Sequence, residues 1–272
     1  MSKNVMFRII STGAPRQCAV DMMRKLDRHC PKWDIDIMKR GQFSTNIYNR
    51  AFADAREKKT DFIILAHDDL YVEDVASIAK LVEHDRPVVD CVLPGTHNGS
   101  LLWLFFHLTK DGIYFSGEPV QGQGLVPIYS SQLGLTCYRA DVFHSKELGP
   151  MLYQDELFED GTFKMLGTCD IYLCRRLHKA NIPIVADMDV AVEHNAPVEL
   201  RKLFEHLQAW VLRGNGHVDT AYPLPTRRVM RLSEFDLALK DFPVCDAYRE
   251  YQEKMPIPRE IAWMQKPSLK IA

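Results

Sequence analysis

Apolar positions in the first hundred residues recur in two alternating patterns. One pattern has the period of a strand or is a compact apolar run, and it fits four segments: residues 4–10, 33–38, 62–65 and 86–94. The other has the period of a helix, and it fits the intervening segments: residues 16–28, 45–58 and 72–83. Strands that alternate with helices of this length are typical of βαβ units. The sequence therefore predicts an α/β fold with a mainly parallel sheet flanked by helices.

The second half of the chain changes character twice. Residues 95–135 are rich in turn residues, and we expect an irregular insertion with short strands that forms an acceptor pocket or a mobile lid. Strand and helix patterns then return and continue to about residue 197. Beyond this point two further helices are predicted, over residues 198–213 and about 232–254. We thus expect a catalytic domain over residues 1–197 and a helical C-terminal extension over residues 198–272.

Composition and charge exclude several classes of protein. The chain has 272 residues, of which 46% are hydrophobic and 26% charged, as in globular proteins. A net charge of −2 argues against a strongly electrostatic nucleic-acid binder. The longest apolar run, residues 101–106, is too short to cross a bilayer, and the first ten residues lack the features of a secretion signal. Seven cysteines without a C-x-x-C pair favour reduced thiols, and we expect a cytoplasmic protein.

An imidazole and two carboxylates follow the third predicted strand directly. His67, Asp68 and Asp69 come after the apolar run, at the edge of the sheet where α/β proteins bind ligands. On an extended chain His67 and Asp69 project to one side and Asp68 to the other. Imidazole and carboxylate both suit a divalent cation, so the spacing predicts a metal site at His67 and Asp69. The alternative is that Asp69 caps a helix that begins near Val72.

The segment "DFIILAHDDLYVED", residues 61–74, resembles the third strand and metal motif of GT-A fold nucleotide-sugar glycosyltransferases, of the inverting, family-2-like kind. In that family a hydrophobic strand runs into D-x-D or a variant such as H-x-D. Asp69 matches the last acid, which in the family contacts the metal that bridges the two phosphates of the nucleotide sugar. His67 stands where the first Asp usually is. The resemblance implies a Rossmann-like GT-A sheet, a divalent cation (Mn²⁺ or Mg²⁺) on Asp69 and His67, and a contact from Asp68 to the nucleotide sugar.

Two upstream segments resemble the same family. "STNIYNRAFADAREKKTDFIIL" resembles the stretch that leads into the third strand, and Asn49 and Arg50 match the neighbourhood that lines the nucleotide-diphosphate pocket. Ser11, Thr12 and Gly13 match the loop that receives the nucleobase. By their residue types alone, Asn49 is a solvated helical residue and the loop is a turn that hydrogen-bonds a ligand or itself.

Two downstream positions complete the resemblance. "GTCDIYLCRRLHKANIPIVAD" resembles the family's acidic helix start, in which Asp170 matches the general base of inverting members and Cys169 replaces the usual Glu. A carboxylate at a helix N-terminus is stabilised in its charged form, which is also the alternative, structural explanation for Asp170. His194 follows the last apolar run, where some members present a His that completes the metal shell. The alternative for His194 is a hydrogen-bonded structural histidine.

The resemblance implies a metal-dependent, inverting glycosyltransferase that moves a sugar, most readily from a UDP-sugar, to an acceptor hydroxyl. The acceptor remains open between a carbohydrate, a small molecule and a hydroxymethylated DNA base, and the sequence predicts no oligomeric state. Two other functions are compatible with the same sheet. One is a nucleotidyltransferase that releases pyrophosphate, and the other is a catalytically degenerate protein that only binds nucleotide sugars. Neither a G-x-G-x-x-G fingerprint nor a Walker loop is present in the sequence.

Overall fold

A seven-stranded sheet forms the centre of the molecule. The computed structural model describes residues 3–11, 13–39, 45–97, 100–110, 112–120, 122–154, 156–157, 165–194, 229–231 and 243–255. In spatial order the strands are β10 (Leu125–Pro127), β15 (Ile184–Asp187), β5 (Val88–Cys91), β12 (Leu135–Arg139), β3 (Phe62–His67), β1 (Val5–Ser11) and β2 (Asp34–Lys39). Five strands run parallel, whereas β10 and β12 run antiparallel to their neighbours. The predicted α/β class with a mainly parallel sheet is confirmed.

Helices cover both faces of this sheet, because successive strand residues point to opposite sides. Phe7 and Ile9 of β1 pack with α1 (Gln17–His29) and α3 (Ala76–Glu83), and the helix α6 (Asp246–Lys254) joins them through Tyr248. Met6 and Ile10 face the other way, toward α2 (Asn46–Glu57), α4 (Ala140–Phe143) and α5 (Cys169–Lys179). Both faces of the central strands are therefore buried, which explains their nearly unbroken apolar sequences.

The short strands expected within residues 95–135 are present, and three of them pack into a second sheet, so the segment is more regular than expected. β8 (Phe105–Leu108) lies between β11 (Ser130–Ser131) and β9 (Ile113–Ser116). A hairpin of β6 (Pro94–His97) and β7 (Ser100–Trp103) precedes them. Aromatic side chains drive this packing, since Trp103, Phe105, Phe106 and Phe115 are all buried.

The described part of the C-terminal extension contains a strand as well as a helix. β17 (Val229–Arg231) pairs antiparallel with β9 and completes the second sheet, and α6 falls inside the helix predicted over about 232–254. The helix predicted over residues 198–213 lies outside the described residues, and the domain boundary at 197 stays a prediction. The remaining short strands are β13 (Glu156–Leu157), β14 (Met165–Gly167), β4 (Leu70–Val72) and β16 (Val192–His194).

The helix predicted from Val72 begins four residues later, at Ala76. β4 occupies the intervening positions, and the carboxylate of Asp74 accepts a hydrogen bond from the backbone N–H of Ala76 at 3.1 Å. Asp69 therefore does not cap α3. Among the described residues no helix is long and apolar enough to span a membrane. All seven cysteines are described, and none forms a disulfide.

Candidate functional site

The carboxyl ends of β1 and β3 bring the first loop and the acidic turn together. Ile10 lies beside His67 in the parallel register, and the hydroxyl of Ser11 donates a hydrogen bond to the Asp68 carboxylate at 2.6 Å. The backbone N–H of Gly13 donates to the Ser11 hydroxyl at 3.3 Å. Ser11 is completely buried, so its contact with Asp68 is shielded from water. Three predicted nucleotide-site residues are thus clustered, and Thr12 lies outside the described residues.

Asp69 and His194 are joined by a small two-stranded sheet. Residues 68–69 form the turn between β3 and β4, and β16 pairs antiparallel with β4 so that His194 lies opposite Leu70. Nε2 of His194 lies 3.3 Å from Oδ2 of Asp69, across 125 positions of sequence. The other carboxylate oxygen of Asp69, Oδ1, is buried and has no hydrogen-bond partner among the described residues. This carboxylate therefore has one oxygen available to a ligand.

The charges around Asp69 favour its ionised form. Burial opposes ionisation, but the hydrogen bond from His194 and the positive charges of His194, His67 and Arg16 outweigh it, so the pKa of Asp69 lies below its usual value. Burial likewise lowers the pKa of His194, yet its bonds to Asp69 and to the Pro94 carbonyl raise it above the usual value. The contact between the two side chains thus favours the charged form of each.

The chemistry of this pair fits a divalent cation. Nδ1 of His194 donates to the Pro94 carbonyl oxygen at 2.8 Å, which leaves Nε2 as the nitrogen that a metal would use. Nε2 and the Asp69 carboxylate are close enough to bind one ion, and Oδ1 of Asp69 has no partner in the described part of the chain. Among the described residues no group of three or more His, Cys, Asp or Glu side chains is arranged as a metal site.

The side chain of His67 is directed toward α2. Its Nε2 lies 3.2 Å from the Tyr48 hydroxyl, and the Tyr48 ring stacks on Tyr153 with 4.5 Å between centroids. The backbone N–H of His67 donates to the Gly134 carbonyl at 2.9 Å. A Cβ at Gly134 would lie 2.3 Å from Cδ1 of Leu93, so a larger residue here would displace the Leu93 side chain. His67 thus turns to the tyrosine pair while Asp69 turns to His194.

Asn49 fastens α2 to a distant loop. Its amide nitrogen donates to the Tyr153 carbonyl at 2.7 Å, and its amide oxygen accepts from the Tyr153 N–H at 3.0 Å. The Asn49 side chain thus donates to and accepts from one backbone residue, as the backbone of a paired β-strand residue does. The neighbouring Arg50 is exposed on α2. The structure thus gives Asn49 a structural role and leaves Arg50 open to solvent.

Asp170 lies in the first turn of α5, as predicted. α5 packs on the α2 face of the central sheet through Leu173, Cys174 and Leu177, whereas β4 packs against α1 on the other side. The start of α5, with Asp170, and the turn before β4, with Asp69, thus approach the carboxyl edge of the sheet from opposite faces. Oδ1 of Asp170 is shielded from solvent, and the negative charge of Asp170 acts on a buried carboxyl group, Asp90.

Sequence reasoning missed four residues near these positions. Arg16 is exposed at the N-cap of α1 and carries the charge that acts on Asp69 and His194. Tyr48 and Tyr153 form the stack behind His67. Asp90 lies within β5, and it alone had a visible signal, because an acid inside the apolar run "VVDCVL" is unusual.

A cavity of about 1220 Å³ lies elsewhere, between α5, α6 and the turn that joins β8 to β9. Its lining includes five basic side chains: Lys110, Arg175, Arg176, Lys179 and Arg249. It shares no residue with the cluster around Asp69 and His194. The guanidinium of Arg176 is held by the backbone carbonyls of residues 148, 151 and 152, so it is structural. We do not assign this cavity to the donor.

Comparison with known proteins shows similarity of fold only. No protein-family profile matches the chain, and no curated protein sequence matches it. Among solved structures, A197 from STIV superposes with a TM-score of 0.46 and 14% identity, over 70% of this chain and 85% of that chain.

Two further structures carry names that describe transferases or synthetases. GalNAc-T7 with UDP, GalNAc and Mn²⁺ gives a TM-score of 0.42 and 12% identity, over 97% of this chain but only 58% of that chain. CMP:2-keto-3-deoxy-manno-octonic acid synthetase with CTP gives 0.37 and 13%, over 78% of this chain and 100% of that chain. At such values the function has to be argued from the site itself.

Proposed function

We propose that this protein is a metal-dependent, inverting glycosyltransferase that uses a nucleotide-diphosphate sugar, a UDP-sugar in the first instance. The observation that carries the proposal is the carboxylate of Asp69, with one oxygen beside His194 and the other buried without a partner among the described residues. A buried unpartnered carboxylate oxygen is costly unless a ligand binds it. Its position at the carboxyl edge of an α/β sheet is where such folds bind nucleotides.

The donor would lie across the ends of β1 and β3. Ser11, Thr12 and Gly13 would receive the base, and Asp68, held by Ser11, would contact the ribose or sugar. Arg50 would supply positive charge to the diphosphate from α2, and Asn49 would hold the Tyr153 backbone beside the pocket. Arg16 adds a second positive charge on the α1 side.

A divalent cation, Mn²⁺ or Mg²⁺, would be held by Asp69 and His194 near His67, and when bound it would supply positive charge to the departing diphosphate. The Pro94 carbonyl fixes the ring of His194 so that Nε2 faces the site. The hydroxyl of Tyr48 fixes the ring of His67 through a hydrogen bond with its Nε2.

Asp170 would accept the proton of the acceptor hydroxyl. The oxygen then attacks the anomeric carbon on the face opposite the diphosphate, the bond to the diphosphate breaks, and the configuration inverts. The N-terminus of α5 favours the ionised form of Asp170, which is the form that a base requires. The acceptor could be a carbohydrate or a hydroxymethylated DNA base.

A donor screen tests the proposal. Thermal unfolding of the parent protein and of Asp69→Ala would be followed with UDP-, GDP- and CMP-sugars and with nucleoside triphosphates, each with and without Mn²⁺. We expect stabilisation by one nucleotide sugar only when Mn²⁺ is present, and none in Asp69→Ala. Stabilisation by a triphosphate followed by pyrophosphate release would favour a nucleotidyltransferase. Donor binding without any release of nucleotide would favour a degenerate binding protein.

A further inference from the structure

A carboxyl group is buried inside the central sheet, where the proposed reaction does not use it. Asp90 lies in β5 and is 1% exposed. In the sheet register Asp90 pairs with Thr136, which in turn pairs with Leu65, two residues before His67. Asp90 is therefore near the carboxyl edge, beneath α5 and on the face that carries Asp170.

The partners of Asp90 are neutral hydrogen-bond donors. The hydroxyl of Thr136 donates to Oδ1 of Asp90 at 2.6 Å, and the Ser131 hydroxyl and the Cys91 backbone N–H also bond to its carboxylate. No Lys, Arg or His of the described ranges forms an ion pair with it. The titratable or polar groups on the elements packed around it are Ser131 on β11, Thr136 and Tyr138 on β12, and Asp170 and Cys174 on α5.

Asp90 is linked to Asp170 through α5. The Cys174 thiol, one helical turn after Asp170, donates to the backbone carbonyl of Ser131, and the side chain of Ser131 bonds to Asp90. Asp90 and Asp170 both act on the Cys174 thiol and help to raise its pKa, after the larger effect of burial. The two carboxyl groups thus surround one buried side chain.

We propose that Asp90 and Asp170 form a coupled pair of carboxyl groups beneath the N-terminus of α5, in which a negative charge on one opposes ionisation of the other. Asp90 is then a positioning residue that sets the proton affinity of Asp170. The positioning role of Asp90 rests on the proposed function of Asp170 as the base, whereas the coupling of the two carboxyl groups does not.

The electrostatics of the cluster agree with this geometry. Burial, and to a lesser extent the charge of Asp170, raise the pKa of Asp90 to about 7, against the opposing hydrogen bonds from Ser131, Thr136 and Cys91. Coupling between two groups is reciprocal, so ionisation of Asp90 must raise the proton affinity of Asp170 by the same amount. As the pH rises through neutrality, Asp170 therefore becomes the stronger base.

Carboxyl NMR of protein labelled with ¹³C at aspartate Cγ tests the pair without any enzyme assay. We expect one resonance, absent from Asp90→Asn, to titrate near neutral pH in the parent. In Asp170→Asn this resonance should titrate at lower pH, because the neighbouring negative charge is gone. Glu57→Gln, which removes an exposed charge at the far end of α2, should leave it unchanged. An Asp90 midpoint that is equal in the parent and in Asp170→Asn would overturn the pair.

A second variant, Thr136→Val, identifies the Asp90 resonance even if Asp90→Asn does not fold. Thr136→Val keeps Asp90 but removes a donor that stabilises its ionised form, so it should move the same resonance to higher pH and thereby identify it. An Asp90 resonance that titrates in the ordinary carboxylate range also overturns the proposal.

Steady-state kinetics then test the coupling of Asp90 with Asp170 separately from the proposed role of Asp170 as the base. If Asp170 is the base, kcat/KM of the parent should rise further as Asp90 ionises near neutral pH, and Asp90→Asn should lose that rise. Coupled NMR titrations with full transfer by Asp170→Asn would leave the pair intact and contradict the assigned base. The same rise near neutral pH in a folded Asp90→Asn would contradict the positioning role.

Discussion

Nε2 of His194 lies 3.3 Å from Oδ2 of Asp69, although 125 positions separate the two residues. The contact exists because β16 pairs with β4, which directly follows the turn that carries Asp69. The backbone of both strands is fixed by this pairing, and Pro94 fixes the imidazole ring. A carboxylate and an imidazole, side-chain types that suit divalent cations, are thus brought together by the pairing of two strands.

Substitution of Asp69 by alanine should abolish Mn²⁺-dependent donor binding and leave the protein folded. Asp69 is in a turn at the end of β3, and one of its oxygens has no partner to lose. We expect the free energy of unfolding to change by less than about 1 kcal/mol. Isothermal titration with donor and Mn²⁺ measures the binding, and denaturant unfolding measures the stability. Glu73→Ala, an exposed acid on the same segment, is the control. Parental affinity in Asp69→Ala would remove Asp69 from the site.

Substitution of Asp170 by asparagine should separate binding from turnover. Asparagine keeps the size of the side chain but cannot accept the proton of the acceptor. Donor affinity should survive, while kcat falls by roughly two to four orders of magnitude. The loss of the favourable charge at the helix N-terminus costs only about 0.3–1 kcal/mol. Single-turnover transfer assays at saturating donor measure the effect, and near-parental rates would show that another group is the base.

Asn49 and Arg50 should behave differently although they are neighbours. Asn49→Ala removes two hydrogen bonds to the Tyr153 backbone, and we expect a loss of about 1–2 kcal/mol in the free energy of unfolding. Arg50→Ala changes an exposed side chain and should alter stability by less than about 0.5 kcal/mol, while it weakens donor binding. Denaturant unfolding and donor titration of both variants check this. If Asn49→Ala is as stable as the parent, the hydrogen bonds from Asn49 to Tyr153 make no net contribution to the free energy of unfolding.

The strands and helices up to residue 94 could be predicted because their apolar patterns are long and locally complete. The start of α3 could not, since β4 is only three residues long and exists through pairing with β16, more than a hundred positions away. For the same reason the reversed direction of β12 could not be read from "LTCYR". Its register with β3 and β5 depends on contacts made outside its own sequence.

In the candidate site, too, local features could be predicted from the sequence, whereas features that depend on distant contacts could not. The adjacency of His67, Asp68 and Asp69 is local and visible in the sequence, and so is the acid at the start of α5. The contact between Ser11 and Asp68 follows once β1 and β3 are neighbours. The double hydrogen bond of Asn49 and the hydrogen bond from Thr136 to Asp90 depend on side-chain packing between distant elements, which residue patterns do not encode.

Acid should destabilise the protein through His178, which is 2% exposed between the core and α6. Its Nε2–H donates to the Tyr129 carbonyl at 2.9 Å, and its Nδ1 accepts from the Cys245 N–H at 3.2 Å, so the ring is bound in its neutral form. Burial lowers the pKa of His178 to about 4, against the smaller opposing effect of the Tyr129 bond.

Since the folded-state pKa is below the ordinary value of about 6.5, only the unfolded chain takes up this proton as the pH falls from about 6.5 to about 4. The stability from this residue is fully present above about pH 6.5, and about 3 kcal/mol of it is lost by pH 4. Urea unfolding of the parent and of His178→Gln at a series of pH values measures the difference in slope. His29→Gln, at an exposed position on α1, should retain the parental slope. If His178→Gln loses stability with acid as steeply as the parent does, the titrating group is elsewhere.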